Sequence, residues 1–282
     1  MPKSRRNKQV RKLQLTGAPA LNVLSPLAVG MPSQDSILDD KTTFKPKAGG
    51  PTYRILKTTE TDSYETTPAA MAMRTALHGK KTPALAAMAA AAKKKPSTGD
   101  RFGGTDRKIA KLSIATAPTE NFSDVADLVD SLPSVAAMVK LKIPTGPTSD
   151  RVAQEKRNIH VDGFLFAASR EADNDFHLIV GCDPKTTPET YMTMEVSGLP
   201  PASSPAFASL NGARTAYKQF FTAKNLPGAG YHFYQPPIPV QVDGSLFFDA
   251  THSKGQAPGP PSLKSRMPTI FEVHPVTNIK LG

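Results

Sequence analysis

The large side chains of this chain are segregated along its length. Of 6 Tyr and 13 Phe, only Phe44, Tyr53, Tyr64 and Phe102 fall in residues 1–110. That stretch also carries 20 Lys+Arg against 8 Asp+Glu, whereas residues 111–282 carry 15 against 16. A segment folds only where it has enough apolar surface to withdraw from water, so residues 1–110 are expected to be a basic, largely disordered leader. The remaining 172 residues hold most of the aromatics and are long enough for one sizeable core, a single domain over 111–282. The net charge of +11 therefore belongs to the leader, and the domain is nearly neutral.

The leader begins with Lys3, Arg5, Arg6, Lys8, Arg11 and Lys12, but residues 13–30 are broken by Gly17, Pro19 and Pro26, a poor signal-peptide core. The longest purely apolar run, residues 84–92, is far too short to span a bilayer. Cys182 is the one thiol, which rules out an intramolecular disulfide and leaves the cytoplasm as the default compartment. An Ala-rich stretch over residues 69–92 is framed by Lys80 and Lys81 and by Lys93, Lys94 and Lys95. Arg5, Arg6 and Lys93, Lys94 and Lys95 are the candidate phosphate contacts for weak, non-specific nucleic-acid binding through the arm. No aromatic side chain is interleaved there to stack on bases.

Beyond residue 110 the patterning sharpens. Val125, Leu128, Val129 and Leu132 recur at helical spacing after Ser123, a candidate N-cap, and Pro133 closes that helix. Residues 139–143 alternate Val, Lys, Leu, Lys, Ile and read as a strand. Strands follow over 158–169, with Gly163 a bulge or bend, then 176–182 and 190–197. A helix over 207–220 has Arg214 and Lys218 facing outward. The prolines 236, 237 and 239 stiffen the approach to a strand over 240–249, and a last strand over 269–281 bends at Pro275. Three main strands, a helix and two more strands predict a mostly β domain with one or two helices (α+β), specifically an OB-like Greek-key barrel.

Four segments carry a resemblance. They are Asp173-Asn174-Asp175-Phe176-His177-Leu178-Ile179, Glu195-Val196-Ser197-Gly198-Leu199-Pro200, Gly244-Ser245-Leu246-Phe247-Phe248-Asp249 and Phe271-Glu272-Val273-His274-Pro275-Val276-Thr277. Over residues 136–281 the chain resembles a family of uncharacterised bacterial proteins that end in a similar Glu-x-His-Pro strand. The resemblance implies an OB-like fold and no particular chemistry.

The candidate ligand-binding residues are ionisable side chains on strand faces. Asp175 and His177 are two apart and share a face, as do Glu272 and His274. Glu195 opposes the Met face of its strand, Asp249 opposes Leu246 and Phe248, and His252 follows Asp249 by three. Convergence of these seven residues would supply ligands for a divalent ion. A half-buried strand, however, alternates apolar and polar residues in any case. None of the spacings is a metal-ligand signature, and there is no nucleophile elbow or phosphate loop. No catalytic residue, metal or cofactor is therefore assigned. The expected function is a non-enzymatic binding or scaffolding protein for a protein or small-ligand partner, with a flexible basic arm and no membrane contact. The alternative is a metal-assisted hydrolase using the His/Glu/Asp residues.

Overall fold

The computed structural model describes residues 30–62, 99–252 and 258–282. Eight strands form one mixed sheet: β1 (Ile37–Phe44), β2 (Tyr53–Thr58), β3 (Thr119–Phe122), β4 (Asn158–Arg170), β5 (Phe176–Gly181), β6 (Tyr191–Val196), β7 (His232–Phe248) and β8 (Phe271–Leu281). Four α-helices accompany them among the described residues: α1 (Lys108–Lys111), α2 (Val125–Asp130), α3 (Val135–Val139) and α4 (Phe207–Phe221). The strand order is β1-β2-β7-β8-β6-β5-β4-β3, and β7 also pairs with β4. Five strands are thus joined cyclically, β4 to β5, β5 to β6, β6 to β8, β8 to β7 and β7 back to β4. The β6–β8 pairing is parallel, and the other four are antiparallel.

The length of β7 makes the cycle possible. Its first four residues, His232 to Gln235, pair with β2, and β4 runs beside it from Ser245 to Ile238 and again at Phe233 and His232. The prolines 236, 237 and 239 lie inside this strand and not before it. Proline is tolerated where its missing N–H is not needed by the ladder, which is how one strand runs through all three.

The leader is folded in part. Residues 37–58 form a hairpin whose β2 zips onto β7, and Tyr53, Ile55 and Leu56 are buried. A composition averaged over 110 residues hides this short run, which holds two of the leader's four aromatics. The boundary drawn near residue 110 therefore does not divide folded from unpacked chain. The phosphate contacts expected at Arg5, Arg6, Lys93, Lys94 and Lys95 lie outside the described residues.

Three local expectations change. Residues 139–143 are not a strand. Ser134 caps α3 by accepting the Ala137 N–H at 3.2 Å, and Lys142 has φ 49°, which an extended strand cannot hold. The cap of α2 is Asp124, whose Oδ1 accepts the Ala126 N–H at 2.7 Å, while Ser123 Oγ turns to Asp127. The ladder irregularity in β4 falls between Leu165 and Ala167, past Gly163.

Arg214, expected on the outer face of α4, is buried. Its guanidinium donates to the carbonyls of Val196 and Ser197 at 3.2 and 3.0 Å, pairs with Asp100 at 2.9 Å and stacks 4.6 Å above Phe176. Burial of the cation is offset because its donors meet carbonyls and a carboxylate. Phe176, Tyr217, Phe221 and Tyr234 continue the core beneath α4, with ring centroids 4.8–5.0 Å apart. Tyr231 and Phe233 are buried as well, so the aromatic residues that precede the β7 prolines belong to the core.

Candidate functional site

The face of β5, β6 and β8 opposite α4 carries the ionisable residues. Alternation along β5 sends Phe176 and Leu178 to one side and His177 to the other. His177 is the direct cross-strand partner of Glu195. In the parallel pair β6–β8, Thr193 faces Glu272 and Met194 faces Val273, so the next step brings Glu195 beside His274. Asp175 sits just before β5, where its Oδ1 accepts the Gly198 N–H at 2.6 Å. Four strand positions and one turn thus meet, and Asp175, His177, Glu195, Glu272 and His274 are all at most 2% exposed.

The distances describe a chain of imidazoles and carboxylates. His274 Nδ1 lies 2.7 Å from Glu195 Oε2 and 3.6 Å from Glu272 Oε2, and its Nε2 lies 3.4 Å from Asp175 Oδ2. His177 Nδ1 lies 3.2 Å from Glu195 Oε1 and 2.9 Å from Glu171 Oε1. One ligand atom each from Asp175, Glu195 and His274 falls within 4.8 Å of the others, and the same holds for Asp62, Glu171 and His177. Asp175 Oδ2, Glu195 Oε2, both Glu272 oxygens and both His274 nitrogens have no well-aligned hydrogen bond.

Asp249 and His252 stand together at the edge of this group. His252 Nδ1 pairs with Asp249 Oδ2, and Thr251 N–H donates to Asp249 Oδ1 at 3.0 Å. Burial would raise the Asp249 carboxyl, but the bond to His252, the charges of His252 and Lys111 and the Thr251 hydrogen bond together outweigh it and hold the pKa at about 2. Asp249 reaches the others through its field, which helps to raise Glu272.

Sequence reasoning missed Lys111, Asp62, Glu171 and Asp173. Lys111 on α1 lies 3.5 Å from Asp173 and 5.8 Å from the Phe247 ring centre. Burial alone would lower its pKa, but Glu195, Asp173, Asp175 and Glu272 outweigh this and raise it well above the usual value. In the sequence Glu171 falls in the short polar segment between two strands. Its charge and its place directly before Asp173 and Asp175 were the available signal, whereas Lys111 and Asp62 offered none, being remote in sequence.

The charges sort themselves by surroundings. Burial, with Asp173 and Glu195 nearby, raises Asp175 well above the carboxylate range, and burial with Glu195 raises Glu171 to about 8. Glu272 is raised by burial, Glu195 and Asp249. Glu195 goes the other way. Burial would raise it, but His274, Lys111 and His177 hold it well below its usual value. Burial would lower His177, yet Asp62, Glu171 and Glu195 raise it, while burial dominates at His274 and lowers it. Glu195 is thus the carboxylate held low in this group, between a raised His177 and a lowered His274.

Cys182 is buried, and burial raises its thiol pKa, which disfavours the thiolate. No helix among the described residues is long and apolar enough to cross a membrane. Compared with known family models, curated proteins and solved structures, the chain matches none.

Proposed function

We propose that the chain is a cation-binding protein built on an OB-like Greek-key barrel, with a divalent ion held by Asp175, Glu195 and His274. The barrel reading is supported by the cyclic pairing of β4, β5, β6, β8 and β7, the parallel contact of β6 with β8, and α4 inserted between β6 and β7. Three of the four segments that carry the family resemblance are those that bring the ionisable residues to the site.

One observation carries the cation. The His274 ring lies between two buried carboxylates, with Glu195 at Nδ1 and Asp175 at Nε2. A neutral imidazole has one N–H, so its other nitrogen turns a lone pair toward a carboxylate oxygen. Either a proton or a cation must lie between them. A divalent ion on one ring nitrogen then has an oxygen each of Asp175 and Glu195 to draw on, the three ligand atoms lying within 4.8 Å of one another. Mixed nitrogen and oxygen donors suit Zn²⁺, Mn²⁺ or Fe²⁺.

The burial of the set favours holding an ion over turning over a substrate. A catalytic metal keeps a coordination position open. Here Asp175 and His274 are fully buried and the Glu195 side chain is 3% exposed. The metal-assisted hydrolase is therefore the weaker reading, and the ion serves the stability of the domain.

The test is thermal unfolding of the full, untagged chain after chelation, with and without added Zn²⁺. Ligand binding to the native state raises its melting temperature. The account expects a rise with Zn²⁺ that Asp175→Asn and His274→Ala each abolish. An unchanged melting temperature at saturating Zn²⁺ and Mn²⁺ would sink it.

A further inference from the structure

Glu195 turns its two carboxylate oxygens toward different histidines. Oε2 lies 2.7 Å from His274 Nδ1 and Oε1 lies 3.2 Å from His177 Nδ1. From this geometry we infer a second divalent-ion site, formed by His177, Glu171 and Asp62, with Glu195 bridging the two ions. This inference rests on the first site and deepens it to a two-ion centre.

The second set has its own support. His177 is fully buried, and its Nδ1 has no aligned hydrogen bond while it faces Glu171 Oε1 at 2.9 Å and Glu195 Oε1 at 3.2 Å. On the opposite side of the ring, Nε2 lies 3.4 Å from Thr193 Oγ1, and that hydroxyl donates to the Pro258 carbonyl at 3.5 Å. A hydroxyl that spends its proton on a carbonyl accepts from the ring, so Nε2 carries the hydrogen, and Nδ1 presents a lone pair once the proton that charges His177 in the ion-free chain has left. That lone pair then confronts two carboxylates, a position for a cation or a further proton. Asp62 completes the set, and the Tyr231 hydroxyl fixes it by donating to Oδ1 at 2.5 Å.

The two sets are alike. Each has one histidine and a share of Glu195, and each adds carboxylates of its own, Asp175 beside His274 and Glu171 and Asp62 beside His177. Carboxylate-bridged ions in two-metal sites lie roughly 3.5–4 Å apart. A pair so close would also settle the excess of buried carboxylates over cations among the described residues here. The basic groups facing them are Lys111 and the histidines, and Lys111 is already engaged by Asp173.

The test uses Mn²⁺ with the full chain, counting bound ions by equilibrium dialysis and recording electron paramagnetic resonance of the same samples. The expected result is two Mn²⁺ per chain with an exchange-coupled spectrum. His177→Ala should retain one ion with an uncoupled spectrum, and the milder Asp62→Asn should weaken the second ion at least tenfold. Glu195→Gln should abolish the coupling. One ion in the native chain, kept by His177→Ala and lost by His274→Ala, would overturn the second site and leave the first standing. Two ions in both the native chain and His177→Ala would place the second ion elsewhere and also overturn it. No bound ion would remove both sites together.

Discussion

His177 on β5 and Glu195 on β6 are cross-strand partners, with Nδ1 and Oε1 3.2 Å apart and both side chains sealed from water. A two-residue periodicity on each strand and a register that puts the pair side by side are enough to create a buried ion pair. Everything else in the site is arranged around Glu195, which also meets His274 and feels Lys111.

Replacing Glu195 by Gln removes the anion while His177 and Lys111 stay charged. Breaking a buried pair leaves an uncompensated charge, which costs about 3–5 kcal/mol. Urea unfolding of the metal-free chain should show a loss of that size. An unchanged midpoint would mean that Glu195 is not the anion that balances the cluster.

Arg107 and Glu155 form a second buried unit that anchors the segment before α1. The guanidinium meets Glu155 at 2.6 and 2.8 Å and donates to the carbonyls of Phe248 and Asp150, and Glu155 accepts the Phe248 and Val152 N–H groups. Glu155→Gln should destabilise the fold by about 3–5 kcal/mol, because the Arg107 charge is then buried alone. A double-mutant cycle with Arg107→Leu should recover much of the loss. Simple additivity of the two changes would contradict a direct coupling.

His232 sets an acid limb. Burial, reinforced by Lys57, lowers its pKa from 6.5 to about 4. Unfolding frees the ring to bind a proton at its ordinary value, so the unfolded state takes up more protons between pH 6.5 and 4. Stability is therefore full above pH 6.5 and falls as the pH drops through that window, by about 3 kcal/mol if the ring stays neutral throughout. His232→Gln should flatten the fall in chemical denaturation measured from pH 7 to 4. A variant with the same slope as the native chain would remove His232 as its source.

Gly198 is constrained by proximity. A Cβ there would lie 2.6 Å from the Phe102 Cα and 2.8 Å from the Phe102 nitrogen, both backbone atoms that cannot swing aside. Gly198→Ala should destabilise by about 1–3 kcal/mol and shift the N–H that holds Asp175. Weaker Zn²⁺ binding should accompany the loss. Full binding in a destabilised variant would show that Gly198 does not position Asp175.

The strand order β4, β5, β6, β7, β8 and the helix between β6 and β7 were legible because alternation along each strand and helical spacing over residues 207–220 are strong local signals. The i, i+2 pairs Asp175/His177 and Glu272/His274 were legible for the same reason. What they touch was not. Pairing of His177 with Glu195 depends on register, and the approach of Lys111 and Asp62 depends on segments more than 50 residues away. Alternation misled at residues 139–143, where the Ser134 cap won, and at Arg214, whose long polar head found carbonyls inside. The β1–β2 hairpin escaped because composition was averaged over the whole basic stretch.

The most direct test of the cation site is anomalous diffraction from crystals of the full chain grown with Zn²⁺ and recorded at the zinc edge. The account predicts a peak bonded to His274 at roughly 2.0–2.1 Å, with carboxylate oxygens of Asp175 or Glu195 completing the coordination. Zinc peaks only on the exposed surface, with no density beside His274, would contradict it.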